Sequence, residues 1–179
     1  MSRRTRIAAV FALLALAAAV FGPKLVRRHV DGRIQHAVGQ SLPAFEIVDR
    51  AGVTWRNADL LGKRVVLHFF RSYCDSCEHE APAIRELEAN LPADVVLLHV
   101  MADRVLEFEP QVTEATIARK HYARPIALVD AKFVEAFHSV RWSNVTPITY
   151  IVDARGVVRF GLRGAQTRAA IEQALAAAS

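Results

Sequence analysis

Two cysteines stand three residues apart in this 179-residue chain, Cys74-Asp75-Ser76-Cys77, and they are its only two. An apolar run, Val65-Val66-Leu67-His68-Phe69-Phe70, leads into them, and a helical pattern follows. The run reads as a strand covered on both faces. Such a strand delivers the first thiol to the first turn of a helix. Unpaired backbone N–H groups and the positive end of the helix dipole stabilise a thiolate there. Cys74 is therefore expected to attack, and Cys77, one turn further in, to resolve. A purely structural disulfide is a poor account of this spacing, because so short a loop removes little unfolded-chain entropy.

The rest of the chain supplies a sheet and helices around that junction. Phe45, Ile47, Val53 and Trp55 alternate about Asp49-Arg50-Ala51-Gly52, which predicts a hairpin. A strand is predicted over 64–70. The helix after it carries Ile84, Leu87 and Leu91 on one side and is expected from Glu78 to Asn90, with Pro82 imposing a kink or a late start. Val95–Val100 reads as a second buried strand, 110–122 as a helix with Pro110 near its first turn, 125–129 as a short strand and 131–138 as a short helix. Residues 148–152 and 157–160 form a second hairpin, and Thr167 caps a final helix running to about Ala177. This order is that of an α/β domain, a mixed sheet with helices on both faces.

Charge is distributed unevenly. Residues 1–35 hold Arg3, Arg4, Arg6, Lys24, Arg27, Arg28 and Arg33 against Asp31, so the net charge of +5 lies wholly in this segment and the remainder is slightly acidic. A nucleic-acid partner is not expected, because the basic residues flank an apolar stretch from Ile7 to Phe21 rather than forming a patch on the domain. That stretch reads either as an uncleaved membrane anchor or as a cleaved export signal. Three parts are expected: an anchor or signal over 1–23, a basic, partly ordered tether over 24–40, and a folded domain over 41–179.

Several separated motifs then carry a family resemblance. Pro43-x-Phe45, Asp49-x-x-Gly52, Gly62-Lys63-x-Val65-Val66-Leu67-x-Phe69, Cys74-x-x-Cys77-x-x-Glu80-x-Pro82 and Val145-Thr146-Pro147-Ile148-Thr149-Tyr150-Ile151-Val152-Asp153-x-x-Gly156 stand in this order. Together they resemble the thioredoxin-like disulfide reductases of the bacterial cell envelope, of the TlpA and ResA type, over roughly residues 40–178. The resemblance implies a thioredoxin-like fold with an added N-terminal hairpin. It also implies a domain on the periplasmic side of the inner membrane and a thiol–disulfide oxidoreductase activity that reduces protein disulfides. Apocytochromes c would be among the substrates, and a membrane thiol reductant of the DsbD or CcdA kind would supply electrons. It makes Pro147 a cis-proline facing the dithiol, with Thr146 presenting its backbone to an extended substrate. It makes Glu80 a proton acceptor for Cys77, the alternative being a solvated helix glutamate. Tyr73, where the family commonly has Trp, is expected to pack beside the site, and Asp75-Ser76 departs from the family's usual proline between the cysteines. A carboxylate at Asp75 disfavours the thiolate and so favours a reductant over a DsbA-like oxidant. His68 is either a satisfied core histidine or a second proton acceptor. Trp55 and Trp142 read as core or rim residues.

No cofactor is expected. Zinc needs two more ligands and only His79 is near; covalent haem needs a histidine at position 78, which is Glu78; a peroxiredoxin needs Thr or Ser where Arg71 stands. A copper(I) chaperone on the same fold, of the Sco type, is the alternative from another class, since copper(I) selects a thiolate pair.

Overall fold

The computed structural model describes residues 3–138 and 145–178. Its elements follow in the order α1 (Arg3–Ala37), β1 (Glu46–Val48), β2 (Thr54–Arg56), a short 3-10 turn (Asn57–Leu60), β3 (Arg64–Phe70), α2 (Asp75–Ala89), β4 (Val95–Met101), α3 (Pro110–Lys120), β5 (Ile126–Leu128), α4 (Ala131–His138), β6 (Ile148–Val152), β7 (Val158–Arg163) and α5 (Arg168–Ala177). Trp142 lies outside the described residues.

Five strands form one mixed sheet in the order β5-β4-β3-β6-β7. β3 pairs in parallel with β4 and antiparallel with β6, so it is central, as its apolar character requires. β1 and β2 form the predicted hairpin as a separate antiparallel pair, with Ile47 opposite Trp55. Asp49 fixes its turn: one carboxylate oxygen accepts the N–H groups of Ala51 and Val53, and the other accepts the indole N–H of Trp55. In the β6–β7 turn Asp153 repeats the device with Arg155 and Val157, and Gly156 takes a φ of 78°, which a side chain would resist.

Alternation along β3 divides the core. Val65, Leu67 and Phe69 point to one face, where they pack with Val30 and Ile34 of α1 and Phe133, Val134 and Phe137 of α4. Val66 points to the other, against Ile84 and Leu87 of α2 and Ile171 and Leu175 of α5. Phe70, also on this second face, joins Cys74, Cys77 and Met101 in a smaller cluster at the end of the strand. The dithiol therefore sits on the α2 side of the sheet, at the C-terminal edge of β3.

Two expectations are corrected. α2 begins at Asp75, not late at Glu78. Cys74 caps it, so the lost N–H of Pro82 inside the helix does not delay the start. The basic stretch after Lys24 is helical through Ala37 rather than a partly ordered tether. Val30, Ile34 and Ala37 recur at helical spacing and pack against the sheet, and Asp31 pairs with Arg163 of β7. Gly161 of β7 lets this helix approach: a Cβ there would lie 2.6 Å from a methyl of Ile34. Further toward the N-terminus Phe11, Leu13, Leu14, Leu16, Val20 and Phe21 of α1 are exposed. Among the described residues no helix is long and apolar enough to cross a membrane.

Candidate active site

The backbone changes direction between Phe70 and Asp75, and that turn builds the site. Tyr73 adopts the left-handed conformation, with φ of 50°, uncommon for a residue with a side chain. Asp103, just after β4, holds the turn from below. Its Oδ1 accepts the N–H of Ser72 at 2.8 Å, and its Oδ2 accepts the hydroxyls of Ser72 and Thr113 at 2.6 and 2.8 Å. Arg71 donates to the carbonyls of Ser72 and Tyr73 from the other side.

Cys74 follows as the N-cap of α2, and its Sγ accepts the N–H of Cys77 at 3.1 Å. The two sulfurs are joined in a disulfide, with Cα atoms 5.2 Å apart. Cys74 retains 6% exposure while Cys77 has none, so only the first sulfur is open to attack.

Across from Cys74 lies the chain entering β6. The Thr146–Pro147 peptide bond is cis. Thr146 donates its hydroxyl to Cys74 Sγ at 3.3 Å, and its carbonyl oxygen lies 3.6 Å from the same sulfur. A disulfide sulfur has no hydrogen, so the second contact becomes a hydrogen bond only once Cys74 is reduced. Tyr73 lies beside the site with its side chain largely in solvent. It is 72% exposed, and its ring meets Phe108 edge-on at 5.4 Å, so the pair forms an aromatic lip beside Cys74.

Glu80 is fully buried, three residues beyond Cys77 on the same face of α2. Its Oε1 accepts the N–H of Gln166 at 3.0 Å and its Oε2 meets His68 Nε2 at 3.1 Å. The solvated-helix alternative for Glu80 thus does not hold. His68 is a satisfied core histidine by its contacts and a neighbour of the site by its link to Glu80.

Four residues of this neighbourhood carry no signal in a cysteine motif. Lys120, at the end of α3, is buried and donates from Nζ to the carbonyl of Cys77 at 2.6 Å, with Glu78 at 3.2 Å. Burial pushes its ammonium below the usual lysine range, and its bond to the Glu78 carboxylate acts the other way. His99 stands opposite His68 in the β3–β4 ladder, and Glu88 lies about two helical turns beyond Glu80 on α2. Asp103 is the fourth. The matched histidines in Val-Val-Leu-His-Phe-Phe and Val-Val-Leu-Leu-His-Val-Met were the available clue. Among the described residues no group of three or more His, Cys, Asp and Glu side chains is placed to hold a metal ion.

Comparison with known proteins agrees with this geometry. The AhpC/TSA family matches residues 38–160. A thioredoxin-like protein, YneN, of Bacillus subtilis is 30% identical over 137 residues, covering 76% of this chain and 78% of its own. The thiol–disulfide oxidoreductase ResA of Geobacillus kaustophilus is 27% identical over 176 residues, covering 98% of this chain and 97% of its own. A solved thiol:disulfide interchange protein of the thioredoxin family from Chlorobium tepidum superposes with a TM-score of 0.66 at 17% identity, over 78% of this chain and 96% of its own. StoA of Bacillus subtilis superposes with a TM-score of 0.62 at 20% identity, over 74% and 96%. The thioredoxin-like fold, the helix-capping Cys74–Cys77 pair and these relatives place the chain in the AhpC/TSA family, as a TlpA/ResA-like thiol–disulfide oxidoreductase.

Proposed function

We propose that this oxidoreductase works outside the cytoplasm and runs in the reducing direction on protein disulfides. Cys74 attacks a substrate disulfide, and the first substrate sulfur leaves as a thiolate. Cys77 then gives its proton to Glu80, attacks Cys74 Sγ and expels the second substrate sulfur, which closes the Cys74–Cys77 bond. Thr146 and cis-Pro147 hold the substrate segment beside Cys74, and the exposed Tyr73 with Phe108 gives it an apolar edge to rest on. Apocytochrome c is the substrate class that the resemblance suggests, and a membrane thiol reductant of the DsbD or CcdA kind would return the site to the dithiol. The arginine-flanked apolar segment at the N-terminus supports export and attachment to the inner membrane.

The observation that carries this reading is the difference between the two sulfurs: one at a helix N-terminus beside Thr146, the other sealed behind it, three residues before a buried carboxylate on the same helix. The direction is tested by equilibrating the protein against glutathione or dithiothreitol. A reduction potential near or below about −250 mV supports a reductase, and one near about −120 mV makes the protein a disulfide donor instead.

A further inference from the structure

Behind Cys77 four buried titratable side chains stand in a row. Glu80 Oε2 lies 3.1 Å from His68 Nε2, His68 Nδ1 lies 2.9 Å from His99 Nδ1, and His99 Nε2 lies 2.8 Å from Glu88 Oε1. Both histidines are fully buried and both carboxylates nearly so. Turning either ring over would put carbon where it now meets a carboxylate, so the ring orientations are fixed.

Hydrogens in the row can be counted. Each of its three contacts joins atoms that accept hydrogen bonds when bare, so each contact needs one hydrogen. Two neutral imidazoles supply only two. With two carboxylates and two neutral rings, either the ring–ring contact sets two lone pairs face to face or a ring–carboxylate contact is left bare. The row therefore holds three hydrogens and a net charge of −1. The ends of the row locate the third. Glu88 also accepts the N–H groups of Ala123 and Arg124. Burial acts to raise its carboxyl, but the bonds from His99 and these backbone groups outweigh it and hold Glu88 below the ordinary carboxylate range. Burial pushes His99 down to about 4, so this ring is neutral, and its contact with the Glu88 carboxylate puts its one hydrogen on Nε2 and leaves Nδ1 to accept. Among the described residues Glu80 has one backbone donor, Gln166. The third hydrogen thus belongs to the Glu80–His68 contact, on the carboxyl or on the imidazole.

We propose that Glu80, His68, His99 and Glu88 form one proton-holding unit behind Cys77, in which His68 stores the proton that Cys77 releases. His99 and Glu88 are positioning residues that fix the imidazole and offset its charge. The proposal rests on Glu80 as the acceptor for Cys77. When Cys77 ionises, its proton goes to Glu80 and the shared hydrogen settles on His68, which brings the row from −1 to neutral. The Cys77 electron pair then forms the bond to Cys74 Sγ, the bond from Cys74 Sγ to the substrate sulfur breaks, and that sulfur leaves as a thiolate. The stored proton returns through Glu80 to the substrate thiolate or to solvent.

Other groups face the row. Tyr122 stacks on His99 with ring centres 4.2 Å apart, and burial pushes its hydroxyl well above the usual range, so it stays neutral. Thr149 of β6 lies opposite His68. Lys120 bonds Cys77 and Glu78, Arg85 bonds the Lys120 carbonyl, and Arg124 bonds the Glu88 carbonyl. Glu78 and Lys120 offset each other at the Cys77 end. None of these reaches a ring nitrogen of His68 or His99 in the hydrogen bonds described.

The test uses the reduced full-length protein and a fluorescent disulfide peptide, with formation and decay of the mixed disulfide followed in one rapid-quench trace across pH. Glu88→Gln removes a negative charge from the row and so is expected to shift the pH midpoint of decay, relative to formation, downward by about one unit. Glu80→Gln is expected to shift it as well. A shift with Glu80→Gln but none with Glu88→Gln or His99→Gln overturns the unit and leaves Glu80 as acceptor. No shift with any of them overturns the role of Glu80 itself. Should the Glu88 and His99 variants fail to fold, ring ¹⁵N spectra of the wild-type protein decide. The proposal expects His99 as the Nε2–H form with one hydrogen between the two Nδ1 atoms. Either ring titrating like a free imidazole near about 6.5 overturns it.

Discussion

Replacing Asp103 by alanine probes whether the active-site turn is held from beneath. The carboxylate is buried and accepts three hydrogen bonds: from the N–H of Ser72, the hydroxyl of Ser72 and the hydroxyl of Thr113. The Ser72 hydroxyl keeps a second partner in Thr116 Oγ1 at 2.7 Å, so it is not orphaned by the change. The Ser72 N–H and the Thr113 hydroxyl lose the acceptor that they have here. An unsatisfied buried polar group costs about 1–3 kcal/mol, so Asp103→Ala should lose about 2–5 kcal/mol. Asp103→Asn retains an oxygen for the Ser72 N–H, and its amide can donate to hydroxyls that reverse, so it should lose about half as much. Equilibrium denaturation of both variants reads these values, and thiol–disulfide exchange rates read the turn itself. In Asp103→Ala the Tyr73–Cys74 backbone loses its support, and exchange should slow in the variant while it is still folded. A loss below about 1 kcal/mol, or an asparagine as costly as the alanine, refutes the reasoning.

Two further predictions concern stability. Ile34→Ala should cost about 2–4 kcal/mol in denaturant unfolding of the full chain, because its side chain is buried against Gly161 and Tyr150; a cost below about 0.5 kcal/mol would show that α1 is not docked on the sheet. Burial pushes His138 down to about 4 from an unfolded value near 6.5, so the unfolded state binds its proton first. That contribution to stability is whole above about pH 6.5 and is lost as pH falls toward 4, by about 3 kcal/mol at most; His138→Gln should flatten this part of a stability–pH curve, and an unchanged slope refutes it.

How far the sequence could be read follows from which interactions are local. The strand at 64–70, the hairpins and the Thr167 cap rest on periodicity and turn chemistry within a few residues, and each appears where those rules place it. Pro82 is a strong local signal for a late start of α2, but the cap that sets the start is a cysteine sulfur. Charge concealed the docking of α1. Between Lys24 and Arg33 the basic residues dominate, and the stripe of Val30, Ile34 and Ala37 gains meaning only against the opening that Gly161 leaves on β7. Cys74, Cys77 and the cis peptide at Thr146–Pro147 were legible, the last through resemblance alone. Lys120, Asp103, His99 and Glu88 were not, because each meets the site from an element distant in sequence.

The paired histidines also bear on how the sheet finds its register. β3 is apolar on both faces, so alternation alone discriminates weakly between the correct pairing and a slip of one residue. In the observed register His68 lies beside His99 and both point toward α2, where Glu80 and Glu88 receive them. A one-residue slip of β3 would turn His68 into the cluster of Phe133 and Phe137 and leave His99 without its partner. A buried polar group without a hydrogen-bond partner costs about 2–7 kcal/mol by transfer measures, whereas exchanging Leu67 for Val66 or Phe69 for Phe70 between the faces changes apolar burial little. The same two imidazoles that stand behind the dithiol therefore penalise the wrong pairing. The dithiol inherits its position from that choice, because the register of β3 fixes which face of the sheet Cys74 leaves from.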